Sequence, residues 1–174
     1  LFPLMTLEHF QGTTYMMSIV EIAWGVGMLI GGAITGHKRL NNFKVVLINL
    51  TYLILGLTFV FSGILPPSGF AWFAGVTVIG GISMTLYSGS FTVIVQTMVE
   101  PAALGRVFSL YSSITLLPSM IGLLATGFIA DAIGIGNAFI IAGTGIALMG
   151  ISAFLIPPIR QMVKAEIRQE AIGN

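Results

Sequence analysis

The fold is decided by Val45–Leu65, VVLINLTYLILGLTFVFSGIL, a stretch that contains no Asp, Glu, Lys or Arg. A helix that crosses a bilayer needs about 20 consecutive, mostly apolar residues, and this stretch supplies them. The strands of a membrane barrel would be about 10 residues long and would alternate apolar with polar side chains. Because the stretch does not alternate in this way, it predicts a membrane-spanning helix.

Four further apolar runs of at least this length lie on either side of it. They are Tyr15–Thr35, Phe70–Val99, Val107–Ala130 and Asn137–Pro157. The opening residues, Leu1–Met5, are also apolar and are interpreted as the end of another helix. We therefore predict an all-α integral membrane bundle of five full transmembrane helices plus the end of a sixth over residues 1–158, followed by a cytoplasmic tail at 159–174.

The composition excludes a water-soluble domain. Apolar residues make up 56% of the chain and charged residues only 7%, whereas ordinary soluble domains carry roughly 25% charged residues. The chain contains no Cys, and therefore has no disulfide and no thiolate chemistry. Zinc-protease and nucleotide-binding motifs are absent, and His9 and His37 fall in loops predicted on opposite sides. We therefore expect no enzyme, no cofactor or metal, and no nucleic-acid partner.

The basic residues mark one side of the predicted bundle. They are Lys38, Arg39, Lys44, Arg106, Arg160, Lys164 and Arg168. If the five spans alternate in direction, all of these lie on one side, and the opposite connections at 5–14, 66–69 and 131–136 contain no Lys or Arg. Cytoplasmic loops carry an excess of Lys and Arg. We therefore expect a multi-pass protein of the cell (cytoplasmic) membrane whose chain starts outside and whose C-terminus is cytoplasmic.

The first and fourth full spans share a short pattern. Residues 27–36 read GMLIGGAITG and residues 122–131 read GLLATGFIAD, with Gly, Leu, Gly and Ile recurring at the same four positions. Three spans separate the copies, so they would run in opposite directions, as in the inverted three-plus-three repeats of secondary transporters. Chance is the alternative, because these residue types are common here.

Residues 100–109 read EPAALGRVFS, and Pro118 is followed by Gly122, Gly127 and Asp131. The first segment resembles the cytoplasmic link between the tenth and eleventh helices of a major facilitator superfamily transporter, and the second resembles the eleventh helix. The chain thus resembles the C-terminal half of such a transporter, and within the superfamily the bacterial macrolide-efflux branch of the drug:proton antiporters. The resemblance implies that the chain holds the end of helix seven and helices eight to twelve. It also implies that the N-terminal half of the same transporter is a partner.

The loop pattern of that family, G-x-x-x-D-x-x-G followed by arginines, is degraded here. Gly36 stands where the acid would be, and Gly127-x-x-x-Asp131-x-x-Gly134 keeps the spacing without the basic residues. The predicted gating or structural loop residues are Gly32, Lys38, Arg39, Arg106 and Asp131.

Glu21 is the one acidic residue inside a predicted span. A carboxylate at mid-helix costs roughly 2.5–3.5 kcal/mol on insertion scales, and such acids are functional by default. Helical spacing places Met17, Trp24 and Met28 along the same face, which suits a bulky amphiphilic cation. We predict that Glu21 couples protons or binds the cation. The alternatives for Glu21 are a structural acid bonded to a neighbouring helix and an acid that reaches the membrane interface. For Trp24 and the methionines the alternative is ordinary helix packing.

The third and fourth full spans are rich in hydroxyl groups, from which Tyr87, Ser112 and Ser119 are predicted to line a substrate cavity. Interhelical packing is the alternative for each of them. The first, third and fourth spans are predicted to face water in this cavity, and the fifth to face lipid.

The resemblance implies a secondary active transporter that exports hydrophobic drugs such as macrolides in exchange for protons. Its partners would be that small-molecule substrate, protons and the lipid bilayer. Uptake of a small solute by the same fold remains open, as does a non-transporting helical membrane scaffold.

Overall fold

The computed structural model describes residues 2–35 and 44–155, and all regular elements in these ranges are helical. The helices are α1 (Phe2–Leu4), α2 (Thr14–Thr35), α3 (Lys44–Ile64), α4 (Phe70–Met98), α5 (Leu104–Ile133) and α6 (Ile135–Leu155). A π-helical turn, Met5–His9, continues α1, and a 3₁₀ turn, Pro101–Ala103, precedes α5. The predictions for Lys38, Arg39 and the tail at 159–174 lie outside the described residues.

Five of these helices, α2 to α6, are long and apolar enough to cross a membrane. This finding confirms the predicted all-α bundle of five full spans with the end of a sixth. The boundaries differ most for α5, which extends beyond the charge-free run Val107–Ala130 at both ends. The helix is stopped after Ile133 by Gly134, whose positive φ of 84° is accessible to glycine. α6 begins at the next residue, Ile135.

The predicted alternation of direction is confirmed by contacts at one end of the bundle. His9, just before α2, donates its Nε2 proton to the Leu65 carbonyl oxygen at the end of α3, over 2.7 Å. The buried cluster there includes Phe10, Phe73 and Ala130, from the start of α2, the start of α4 and the end of α5. We call this end the His9 end and the opposite one the Arg106 end.

α3 and α6 pack along their length through small residues. Gly56 lies opposite Gly143 and Gly63 opposite Gly136, and a Cβ added to Gly143 would be 2.6 Å from the Gly56 carbonyl oxygen. Further along, an added Cβ on Gly150 would be 3.1 Å from the Asn49 carbonyl oxygen. The fifth span was expected to face lipid, and this stays a prediction. α6 packs on α3 with one face, where its glycines admit the α3 backbone, and is exposed on the other.

α2 and α4 form the second close pair. A Cβ on Gly27 would overlap the Val78 carbonyl oxygen, and a Cβ on Gly81 would overlap the Trp24 carbonyl oxygen. Close backbone approach at small residues is how helices associate where no hydrophobic driving force acts between them. These glycines therefore hold α2 against α4 near the middle of both helices.

α5 is the least covered helix of the described bundle. Only 6% of its apolar window is buried, against 17–28% in the other four spans, and α6 is its main contact. The repeated pattern in α2 and α5 runs in opposite directions, as expected. The packing of the two copies differs, because Gly122 and Gly127 have nothing within 4 Å of an added Cβ.

Candidate functional site

A groove of about 500 Å³ lies between the second half of α2 and the middle of α4. It is lined by Met28, Gly32, Thr35, Met84, Thr85, Ser88, Gly89, Thr92 and Val93. Space opens because Gly32 carries no side chain, and the nearest atom of α4 to an added Cβ is the Thr85 Cγ2 at 4.0 Å. The volume falls within the roughly 300–1,000 Å³ that small-molecule sites occupy.

Of the four hydroxyl groups in the groove, the three threonines are already used as donors, whereas no hydrogen bond within the described part of the chain uses the proton of Ser88. Thr35 donates to the Gly31 carbonyl oxygen over 2.7 Å, Thr85 to that of Gly81 over 3.2 Å, and Thr92 to that of Ser88 over 2.8 Å. Each hydroxyl oxygen keeps its lone pairs, so it remains an acceptor. Met28 and Met84 add two thioether groups. The groove therefore offers apolar contact together with hydrogen-bond acceptors.

Glu21 lies on α2 between the groove and the His9 end of the bundle. It is exposed, and helical spacing places it on the same face as Met28 and Gly32. Two helical turns, about 10 Å, separate it from Met28 along the helix axis. No hydrogen bond or ion pair links the carboxylate of Glu21 to another side chain or carbonyl group in the described ranges of the chain. The alternative of an acid bonded to a neighbouring helix therefore finds no partner there.

Trp24 and Met17 do not line the groove. The ring of Trp24 packs against Gly80 of α4, where an added Cβ would be 2.8 Å from Cζ3, and its centroid is 5.2 Å from that of Phe2. Met17 is half-buried near the start of α2. The packing alternative for Trp24 is the arrangement that the structure adopts.

Tyr87 takes part in a separate aromatic cluster that connects α3, α4 and α5. Its ring centroid is 5.1 Å from that of Tyr52, and Phe91 lies 4.7 Å from Tyr111. The Tyr87 ring is also stacked on that of Phe91, with centroids 6.1 Å apart. This cluster connects the Arg106 half of α5 to the rest of the bundle, and Tyr87 does not reach the groove.

The remaining predicted site residues are spread over the molecule. Ser112 and Ser119 are exposed on α5. Arg106 and Asp131 are exposed near opposite ends of that helix, so they share no loop. Within residues 2–35 and 44–155, no three His, Asp or Glu side chains are grouped as a metal site would require. Of the predicted cavity and loop residues, only Met28 and Gly32 line the groove.

On the α4 side of the groove, the sequence predicted that the hydroxyl-rich third span faces the cavity, but it did not select this particular face or Met84. Met84, Ser88 and Thr92 recur every fourth residue and therefore form one helical face. That spacing was visible in the sequence. The sequence does not show that this face packs against α2. That pairing is set by the glycine contacts between α2 and α4, which join residues far apart in the chain.

The architecture defines a class of protein: a multi-pass helical membrane protein whose fold fits half of a major facilitator superfamily transporter. No family model matches the sequence, and no solved structure does. Comparison with curated proteins is more specific.

Macrolide efflux protein A of Streptococcus pyogenes is 39% identical over 93% of this chain and 40% of its own length. A protein of the same name from Enterococcus faecalis is 42% identical over 71% of this chain and 38% of its length. An uncharacterized MFS-type transporter of Bacillus subtilis is 32% identical over 73% of the chain and 31% of its length. This chain is a partial, macrolide-efflux-like sequence of the major facilitator superfamily. It spans between 31% and 40% of the length of these curated relatives.

Proposed function

We propose that this chain forms the C-terminal part of a proton-coupled secondary transporter that exports hydrophobic drugs such as macrolides. The observation that carries the proposal is the similarity to proteins named for macrolide efflux, which extends over 93% of the chain. A multi-pass membrane fold is compatible with transport driven by an ion gradient.

Glu21 is the residue that we assign to proton coupling. It is the only acidic residue inside the five apolar runs of the sequence. It lies on the same face of α2 as Met28, which lines the groove. Intramembrane acids on such faces commonly serve in proton relays. Exchange of a proton for a cationic drug at one carboxylate would couple the two fluxes.

We place the Arg106 end in the cytoplasm, because the basic residues concentrate there and the His9 end carries none. The membrane is then the bacterial inner membrane. The exposed surface of α5 is available for contact with the rest of the transporter, since the relatives are more than twice as long as the part that this chain matches.

The test is Glu21→Gln in the complete protein, reconstituted in liposomes with a pH gradient. Glu21→Gln keeps the shape of the side chain and removes its titration, so drug-dependent proton movement should be lost while expression is retained. The matched control is Glu8→Gln, which changes an exposed carboxylate outside the spans and should leave coupling intact.

Proton movement that persists in Glu21→Gln at the wild-type rate would refute the assignment. A transport assay in intact cells separates the two alternatives. Accumulation of solute inside cells would indicate uptake, and absence of any saturable flux would indicate a scaffold.

A further inference from the structure

The described helices form two tightly packed pairs. In the pair of α2 with α4, a Cβ added to Gly31 would be 2.8 Å from the Ile82 carbonyl oxygen. In the pair of α3 with α6, a Cβ added to Gly63 would be 2.5 Å from the Gly136 carbonyl oxygen. Because each backbone lies in the space that the glycines of its partner leave, a displacement within a pair would push side chains into backbone atoms. Each pair is therefore expected to move as one unit.

The interface between the pairs, where α3 meets α4, is built differently. Ser83 and Ser90 lie on the same face of α4 as Tyr87, whose ring centroid is 5.1 Å from that of Tyr52 in α3. Both serines are buried. Their hydroxyl groups make no hydrogen bond within the part of the chain that the structure describes. On its α3 side, α4 therefore presents small side chains that no hydrogen bond ties to α3.

The facing side of α3 is also lined by small hydroxyl residues. Thr51, Thr58 and Ser62 donate to carbonyl oxygens of their own helix, over 2.8, 2.7 and 2.7 Å. Helical spacing places them away from the face of Gly56 and Gly63 that meets α6, so α4 is the helix that covers them. None of these hydrogen bonds has to break when α3 moves along α4. Such an interface favours shear between packed helices.

In the His9 half of the bundle the two pairs are joined firmly by aromatic rings. The Phe2 centroid lies 5.2 Å from that of Trp24 and 5.9 Å from that of Phe73, which belong to one pair. It lies 5.5 Å from that of Phe59 and 5.8 Å from that of Phe139, which belong to the other. We call these five rings the Phe2 cluster. The hydrogen bond from the segment before α2 to the end of α3 adds a second connection at the same end.

Towards the Arg106 end the connection is weaker. Within residues 2–35 and 44–155, the contact of Tyr52 with Tyr87 is the only ring contact between the pairs outside the Phe2 cluster. We propose that α2 with α4 and α3 with α6 swing against each other as two rigid pairs about the Phe2 cluster, so that the bundle opens and closes at its Arg106 end. The contact of Tyr52 with Tyr87 holds that end closed. This motion requires neither substrate nor gradient, so it is tested separately from the proposed function.

The first experiment measures distances by pulsed dipolar EPR spectroscopy on the complete protein in nanodiscs, with spin labels on introduced cysteines and any other Cys replaced. Leu29→Cys with Met149→Cys spans α2 and α6 towards the Arg106 end. Tyr15→Cys with Ile141→Cys spans the same two helices towards the His9 end, and all four side chains are exposed. The first distance distribution should be about twice as wide as the second, or should contain two populations, because the pairs separate at one end only.

The matched control lies within one pair. Leu50→Cys with Met149→Cys spans α3 and α6, also towards the Arg106 end, and its distribution should be as narrow as that at the His9 end. Equal widths for all three cysteine pairs would overturn the proposal. A wide distribution between α3 and α6 would also overturn it, because this pair would then not be rigid.

The second experiment removes the contact that holds the Arg106 end closed. Tyr87→Ala should move the distances between α2 and α6 at that end to longer values by about 2 Å, while the distances at the His9 end stay unchanged. Tyr111→Ala is the control, because it removes a ring contact of α4 with α5 instead of one with α3. Thermal unfolding of both variants shows that the comparison is made on folded protein. Unchanged distances in folded Tyr87→Ala, or an equal shift in Tyr111→Ala, would contradict the proposal.

Discussion

Asn49 is a polar residue in an interface made of glycines. Its side chain is buried, and its Nδ2 group has no hydrogen-bond partner within the part of the chain that the structure describes. A buried donor without a partner costs roughly 1–3 kcal/mol. Its backbone carbonyl lies opposite Gly150, so the residue takes part in the packing of α3 against α6, but this packing does not satisfy the amide.

The prediction at this scale is that Asn49→Leu, close in shape and without the polar group, raises the free energy of unfolding by about 1 kcal/mol. The measurement is denaturant unfolding of the complete protein in detergent. The control is Ser62→Ala in the same helix, which removes a buried hydroxyl that does donate, to the Thr58 carbonyl oxygen over 2.7 Å, and should lower stability. A loss of stability in Asn49→Leu would mean that the amide is satisfied in the native protein.

Single residues were predictable where their physical environment is unusual. Glu21 stands out in the sequence because a charge inside an apolar run is expensive. The orientation of Trp24 did not follow from helical spacing, because it depends on Gly80, a residue far away in sequence that leaves room for the indole ring. Met28 was identified by its spacing, but its partner Met84 required the pairing of α2 with α4.

At the scale of elements, a shared spacing sets the register of α3 and α6. Gly136, Gly143 and Gly150 recur every seventh residue in α6, and they face Gly63, Gly56 and Asn49, which recur at the same interval in α3. Equal spacing on two antiparallel helices lets their backbones remain close over several turns. The sequence shows both series, but only the structure shows that they meet.

This register gives a prediction with a control two residues away. Gly143→Ala would place a methyl group 2.6 Å from both the Gly56 carbonyl oxygen and the Val60 nitrogen, so α3 and α6 must separate. Overpacking of this kind costs about 1–3 kcal/mol. Gly145→Ala in the same helix meets nothing within 4 Å and should be neutral or slightly stabilising. Thermal unfolding of the two variants in detergent measures the difference, and equal melting temperatures would contradict the register.

The existence of the helices followed from the sequence more directly than their ends did. Charge-free runs locate spans because the bilayer interior excludes charge. The run Val107–Ala130 underestimates α5, whose backbone stays helical past Arg106 and Asp131 at the two ends. Polar side chains at helix ends mark where the bilayer stops, which is not where the helix stops.

At the scale of the whole molecule, the bundle is uneven in coverage. α2 with α4 and α3 with α6 form close pairs, α3 also packs on α4, and α5 stays largely exposed on its outer surface. Gly27 and Gly31 of α2 lie in close contact with α4, whereas an added Cβ on Gly122 or Gly127 of α5 would have nothing within 4 Å. Because the chain spans only about 40% of the length of its curated relatives, the uncovered face of α5 is the surface on which the rest of such a protein could pack.

We propose that α4 crosses the bilayer with the Arg106 end inside the cell. The direct measurement is labelling of single cysteines with a membrane-impermeant maleimide in intact bacteria, since this chain has no Cys of its own. Ser68→Cys in the turn before α4 should react from outside, and Ala102→Cys after α4 should react only once the membrane is permeabilised. Reaction of both positions from the same side of the intact membrane would contradict the account.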